Sequence, residues 1–426
     1  MNIDSRYKLR EFHWSSLSKW HYIIFFIWPF GGLLYALKNI KQKQTSLLML
    51  FFSFFFGLTF VIGGESGTSD SARYADKLET IHNNSNSILE VIKSSYVEGG
   101  SLDLYQPLIT GLVALFTGDA RFLYAIFGLV FGFFLIKNLF ILIKEIKYNF
   151  NYILVILLVS FFLINPIWNI NGVRMWTAAQ VFLLGLLQIF IQKNKQGYFW
   201  IFSSIFFHFS FLLPVFIFLS YRLIPKKINI LFYIFIVSAF FSEVEISFFR
   251  NAFNYLPGIF QDRVNLYVGE AYVEKVSENK QSFAIHVVLA IILFKYVTYL
   301  LLLLMFLNRK RYIKTVPYFK NLFAFSLYFG IFAQLVSNIP SGSRFIVIQQ
   351  MLFYTLFIVS IYNFNFLKKI KLLYLFIVIG LSFSLLFKLR MGLDYMSFFT
   401  LLGNPIIALA IDEQVTPIIE TIKSIF

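Results

Sequence analysis

Residues 121–143 read RFLYAIFGLVFGFFLIKNLFILI, and this stretch decides the fold class. At 1.5 Å of rise per residue a helix of that length crosses roughly 30 Å of hydrocarbon. Further apolar windows fall near residues 21–37, 46–62, 151–164, 174–191, 198–220, 228–247, 283–307, 321–338, 345–362 and 372–389. Backbone in lipid must satisfy its own hydrogen bonds, so these windows read as helices. The composition agrees: 58% hydrophobic, 20% aromatic, 57 Phe and only 14% charged, with a mean hydropathy of +0.73. A soluble enzyme is excluded. The expected fold is all-α: a polytopic membrane helical bundle of roughly 11–12 spans with re-entrant or interfacial segments, forming one integral membrane domain over 1–426. The first 20 residues are polar and no small-residue cleavage site follows the window at His21, so that window is expected to stay in the protein.

Two segments fall short of a span. Tyr105 to Gly118 reaches only about 20 Å, and Tyr395 to Ile411 is interrupted by Asn404-Pro405. Both read as re-entrant or interfacial.

Three loops carry bases and no acid: Lys38, Lys41 and Lys43; Arg309, Lys310, Arg311, Lys314 and Lys320; Lys368, Lys369 and Lys371. Such loops stay cytoplasmic. Gly63 to Ala120 carries eight acids against three bases, and Glu243 to Lys280 six against four. These mark two large outer loops, near 63–120 and 248–282. Parity then requires that 105–118 and 198–220 either both cross or both return. The returning topology is favoured; it needs a break within 198–220, where His208 and Pro214 sit, and it places Asn165 to Arg174 outside. Trp28-Pro29-Phe30-Gly31-Gly32 similarly allows 21–37 to be a hairpin.

Without cysteine, disulfides, iron–sulfur clusters, thiolate nucleophiles and Cys-ligated zinc are excluded. The five histidines are scattered and no acidic pair has ligand spacing, so neither metal nor cofactor is expected. The net charge of +16 is carried largely by short loops between apolar windows, an orientation signal rather than a nucleic-acid footprint. Walker, Rossmann and Gly-x-Ser-x-Gly patterns are absent, so neither nucleotide hydrolysis nor an ordinary serine esterase is suggested.

Four places carry residues fit for chemistry. The first outer loop opens with a glycine-rich turn containing Glu65 and leads into Asp70, Arg73 and Tyr74, which share one helix face at i, i+3 and i+4. That face suits a sugar or phosphate, or it is a capped helix start in which Asp70 pairs with Arg73. Arg174 begins a helix at the membrane edge, after the turn-rich Asn165-Pro166-Ile167-Trp168-Asn169-Ile170-Asn171-Gly172-Val173. There a guanidinium holds a phosphate bidentately beside free helix amides, or snorkels to headgroups. His208 lies in an apolar window, where a histidine is costly and is either functional or bonded to a neighbouring helix. Arg344 repeats the turn-then-arginine pattern, and two such arginines suit one pyrophosphate. Arg250, Arg263 and Tyr267 are weaker glycan candidates, and Lys295 sits inside a span.

Asp70-Ser71-Ala72-Arg73-Tyr74 after the second window, Asn171-Gly172-Val173-Arg174 before a later one, and Phe207-His208-Phe209-Ser210 further on together make the chain resemble the EpsG/Wzy group of bacterial polysaccharide polymerases. The resemblance covers most of the chain. The chain departs in carrying Met175 where Gln often follows the arginine. The resemblance implies a GT-C-like glycosyltransferase of the bacterial inner membrane with its active site facing the periplasm. Its partners would be glycans on undecaprenyl pyrophosphate, membrane lipids and a chain-length regulator, with no nucleic acid. On that basis Arg174 and Arg344 are expected on the pyrophosphate with Arg73 assisting and Tyr74 beside them. His208 is expected as base, with Asp70 or Glu65 as substitutes. An O-antigen ligase, a flippase or transporter, and a membrane acyltransferase are the rival readings.

Overall fold

The computed structural model describes residues 19–42, 44–63, 69–84, 87, 90, 103–146, 150–240, 284–337, 341–360, 370–410 and 416–425. Glu65, Lys43, Lys368, Lys369, the Asn338-Ile339-Pro340 turn and the loop holding Arg250, Arg263 and Tyr267 lie outside these residues. Among the described residues all regular structure is helical. In chain order the helices are α1 (Lys19–Ile27), α2 (Pro29–Lys38), α3 (Thr45–Leu58), α4 (Asp70–Asn84), α5 (Tyr105–Ala114), α6 (Ala120–Glu145), α7 (Tyr152–Ile164), α8 (Val173–Phe190), α9 (Gln196–Phe207) and α10 (Leu212–Tyr221). They continue as α11 (Ile228–Ser238), α12 (Ile285–Leu307), α13 (Arg309–Thr315), α14 (Phe319–Leu335), α15 (Arg344–Ser360), α16 (Lys371–Gly392), α17 (Phe398–Leu402), α18 (Pro405–Ala410) and α19 (Ile418–Ile425). Short 3-10 turns at Ile167–Gly172 and Phe209–Phe211 join α7 to α8 and α9 to α10.

Among the described residues four stretches are long and apolar enough to cross a membrane: Ala120–Glu145, Tyr152–Phe190, Ile285–Leu307 and Lys371–Gly392. The second of these is broken at Asn165-Pro166 and the 3-10 turn. Several expected spans are shorter helices, among them Thr45–Leu58, Ile228–Ser238 and Arg344–Ser360.

The chain divides into two units. Unit one comprises Met1–Lys144, Ile167–Gln180 and Met391–Phe426. Its axis is the pair α3 and α6, which approach closely at glycines: a Cβ on Gly57 would strike the Tyr124 carbonyl, and one on Gly128 the Ser53 carbonyl. Since 57 faces 124 and 53 faces 128, the two helices are antiparallel. Leu58 and Ala120 therefore lie at the same end of this pair, and α5 is only 10 residues long. Asn138 of α6 donates from Nδ2 to the backbone oxygen and Oε1 of Gln180, both at 2.9 Å, pinning the first half of α8 alongside.

The window 21–37 breaks at Trp28. Pro29 begins α2, and a Cβ on Gly32 would lie 3.8 Å from Phe25 Cα, so the chain turns back there rather than crossing as one helix. Tyr395–Ile411 is likewise two short pieces, α17 and α18, separated at Gly403-Asn404. Trp28 Nε1 donates to the Leu401 carbonyl at 2.6 Å, and the Thr59 and Thr400 hydroxyls are 3.0 Å apart.

Unit two comprises Glu145–Pro166 and Val181–Arg390. At its centre α14 packs against α10, α11 and α15, and α15 against α7 and α12. Aromatic rings fill the packing between its helices: Phe232 of α11 stacks on Phe306 of α12 at 3.7 Å and Phe294 of α12 on Tyr354 of α15 at 5.4 Å.

The window 198–220 is a hairpin. At His208 the backbone becomes extended (φ −154°, ψ 123°), ending α9. The ring of Tyr198, early in α9, lies 5.9 Å from Phe218 late in α10, and Arg222 bonds the Tyr198 hydroxyl. Arms of 12 and 10 residues reach only about 15–18 Å each, and the segment doubles back with His208 at its tip. The proline, Pro214, lies within α10 and does not break it.

Candidate functional site

In unit one the start of α4 is anchored from three sides. Ser69 Oγ accepts the Ala72 amide at 3.3 Å as the helix cap. The Ser71 hydroxyl accepts from the Gly63 amide at 3.1 Å; Gly63 has φ 95°, a backbone conformation glycine adopts without strain. Asn171 Oδ1 accepts from the Ser71 amide at 3.2 Å, and Asn171 Nδ2 donates to the Tyr395 hydroxyl at 3.2 Å. Tyr124 donates its hydroxyl to the Ser71 carbonyl at 3.1 Å. Beneath them Phe60 is sandwiched between the rings of Tyr124 (4.9 Å) and Tyr395 (5.5 Å). Aromatic packing thus fixes a polar helix end that would otherwise fray.

The anchored face carries Asp70, Arg73, Tyr74 and, one further turn along, Lys77. Tyr74 is only 7% exposed. Its hydroxyl accepts from Arg174 Nε at 3.0 Å, and the guanidinium lies 5.8 Å from its ring centroid. Arg174 Nη1 donates to Asp103 Oδ2 at 2.8 Å, with the Asp103 side chain 4% exposed and that of Arg174 29%. The short link before α8 explains its own residues. Asn171 ties down α4, and Val173 is fully buried. A Cβ on Gly172 would sit 3.8 Å from Asp70 Oδ2 and 3.2 Å from Trp176 Nε1. Asp70 pairs with Arg73, whose side chain is 70% exposed.

Burial raises the Tyr74 hydroxyl pKa above its ordinary value even though Arg174 opposes the shift. Burial, helped by repulsion from Arg174, lowers that of Lys77. Among the described residues, three cations and two carboxylates thus gather around Tyr74 and Arg174, with positive charge in excess. Two of the five guanidinium N–H groups of Arg174 are directed at Tyr74 and Asp103. This fixes the plane of the fork, which is what bidentate recognition of a phosphate requires. Among the described residues no three His, Asp or Glu side chains gather as a metal site needs.

Asp70, Arg73, Tyr74 and Arg174 therefore come together in unit one. The capped start and the Asp70–Arg73 pair are both present as well, so the structural and chemical readings of that face coexist. His208 and Arg344 belong to unit two. His208 Nδ1 accepts the Ser210 amide at 3.1 Å, capping the 3-10 turn at the hairpin tip. Arg344 opens α15, with its amide donating to the Ser341 carbonyl at 3.2 Å. Sequence reasoning passed over Lys77 and Asp103. Lys77 was signalled by the i+7 position from Asp70, whereas Asp103 was one acid among eight in its loop and nothing local marked it as the partner of Arg174.

This architecture and this charged cluster define a polytopic α-helical membrane protein whose polar chemistry lies at the ends of its helices. The EpsG family model matches residues 47–400, and the chain belongs to the EpsG family. The matched stretch contains the whole cluster. No curated protein and no solved structure matches the chain. Membership of this family points to a polysaccharide-polymerase type of function carried out by a glycosyltransferase-like membrane protein.

Proposed function

We propose that the chain is a repeat-unit polymerase. It transfers a glycan from undecaprenyl pyrophosphate to a hydroxyl of a second lipid-linked repeat unit, at the outer face of the bacterial inner membrane. The acceptor oxygen bonds the anomeric carbon, the bond from that carbon to the diphosphate oxygen breaks, and undecaprenyl pyrophosphate leaves with the bonding pair. The leaving diphosphate needs cations, and the hydroxyl needs somewhere to send its proton. The observation that carries the reading is Arg174, held half-buried by Asp103 and Tyr74 with Arg73 and Lys77 beside it. Charge stabilisation by groups already oriented costs no reorganisation during the reaction.

Asp70, inside the cluster and against Gly172, is proposed to take the proton, in preference to His208. The ring of His208 already receives the Ser210 amide on Nδ1, so in the neutral tautomer the proton resides on Nε2; acting as base would require giving up the cap. The test is a surface-glycan gel from a deletion strain complemented with wild type, Arg174→Lys or Arg174→Gln. The polymer ladder is expected to be weak with Lys, which offers a point charge but no fork, and absent with Gln, with single repeat units retained. A normal ladder from Arg174→Gln at wild-type protein level refutes the diphosphate role. A ladder that persists on the lipid carrier but never reaches its final anchor would make the protein a ligase.

A further inference from the structure

Unit two holds a second cationic feature, at the base of the 196–221 hairpin and thus at the opposite end from His208. A cleft of about 290 Å³ opens between the turn after α8, the end of α10 and the turn before α14. Lys193, Arg222 and Lys226 line it together with Tyr198, Tyr221 and Tyr318. Among the described residues no carboxylate lines it, and the Glu145 side chain accepts the Tyr318 hydroxyl at 2.8 Å. The cations are placed by aromatic rings: the Arg222 guanidinium lies 5.3 Å from the Tyr198 centroid and bonds its hydroxyl. Lys226 Nζ lies 5.6 Å from the Tyr221 ring, and Tyr221 donates to the Asn321 carbonyl at 2.8 Å. Lys193 adopts φ 55°, a left-handed conformation that costs a residue with a Cβ about 1 kcal/mol and persists where something holds it.

Basic loops alone would explain cations on this face, since the segments 191–196, 222–227 and 308–320 contain ten bases and no acid. They do not explain a concave site lined by three of those cations, two of them carried on tyrosines. Large apolar side chains directly follow the lining residues Tyr198, Phe218 and Arg222 in sequence: Phe199 is 64% exposed, Leu219 44% and Leu223 87%. A polar, cationic cleft beside bare apolar surface matches a molecule with a phosphate head and hydrocarbon tails. The leaflet facing basic loops is the one that carries anionic lipids.

We propose that this cleft binds the phosphate headgroup of an anionic phospholipid, whose acyl chains lie along Phe199, Leu219 and Leu223 and whose bound head braces the base of the hairpin. The full-length protein, purified in detergent, would be titrated with phosphatidylglycerol or phosphatidylcholine and read by native mass spectrometry, with inorganic phosphate as the soluble arm. Removing three cleft charges in Lys193→Asn/Arg222→Gln/Lys226→Gln is expected to weaken phosphatidylglycerol binding about a hundredfold. Lys195→Gln/Lys227→Gln, which removes charges from the same loops but not from the cleft, is expected to change it less than about threefold. Phosphatidylcholine binding is expected to be weak and unchanged. Lys226→Gln alone, expected to cost roughly fivefold, decides the matter if the triple variant does not fold. Equal losses from cleft and control variants, or no loss from the cleft variants, overturn the proposal. Millimolar inorganic phosphate displacing the lipid completely overturns the lipid assignment in favour of a soluble phosphate site.

Discussion

The contact between Arg174 and Asp103 makes a prediction that separates orientation from mere charge. Taking one member from a buried ion pair costs roughly 3–5 kcal/mol, because the remaining charge loses its compensation. The two ends here differ: the Asp103 side chain is 4% exposed and that of Arg174 29%. Arg174→Gln deprives the deeply buried carboxylate of its cation, so its cost is placed at about 3 kcal/mol. Asp103→Asn leaves a guanidinium that still reaches water and the Tyr74 hydroxyl, and costs about 1–2 kcal/mol. The double variant puts two amides in contact, so it is expected to recover about 2 kcal/mol relative to Arg174→Gln, about 2 °C in thermal midpoint. Activity runs the other way. Asp103→Asn loosens the guanidinium and is expected to reduce polymer formation roughly tenfold, whereas Arg174→Gln and the double variant make none. Thermal unfolding in detergent and the glycan ladder from the same four proteins read both quantities. If the double variant is destabilised by the sum of the single losses, the two residues are not an energetic unit, and Asp103 does not orient Arg174.

Three further outcomes are expected. Lys77 has its pKa lowered by burial and by Arg174, so between the folded value and 10.5 the unfolded chain binds more protons. Stability then rises with pH through that window while the site loses a positive charge. Polymer synthesis in proteoliposomes is therefore expected to decline on the alkaline side before 10.5; Lys77→Met should be about fivefold less active at neutral pH and should lack that decline, and an unaltered alkaline profile would exclude Lys77 as its source. His208→Ala removes a cap and is expected to lose about 1 kcal/mol, while His208→Asn keeps an acceptor for the Ser210 amide and should retain both stability and polymer. A stable but inactive His208→Asn, beside an active Asp70→Asn, would make His208 the base. Gly57→Ala drives a methyl into the Tyr124 carbonyl and is expected to lower stability by about 2–3 kcal/mol; an unchanged melting temperature would contradict the close crossing of α3 and α6.

Much of the architecture is legible in residue order alone. Solvent transfer depends on composition over about 20 residues, so apolar windows such as 121–143 announce membrane helices without any knowledge of neighbours. Breaks are equally local, and Trp28-Pro29, Asn165-Pro166, His208 and Asn404-Pro405 each end a helix where the backbone chemistry allows. The i, i+3, i+4 spacing of Asp70, Arg73 and Tyr74 gives a shared face directly, because helical geometry needs no tertiary information.

Pairing across the chain is another matter. The close approaches at Gly57 and Gly128, and the ladder from Ser71 through Asn171 to Tyr395, join positions separated by tens to hundreds of residues, and every loop between them could close in several ways at similar entropic cost. The partner of Arg174 shows the limit most plainly. Eight acids occupy residues 63–120, equivalent in sequence, and only the packing of α4 and α5 against α8 buries Asp103 at 2.8 Å from the guanidinium. Residue order determined which segments enter the membrane and which side chains could carry charge there. Tertiary structure decided which charges meet, because burial and distance set electrostatic strength and neither is a property of the chain read one residue after another.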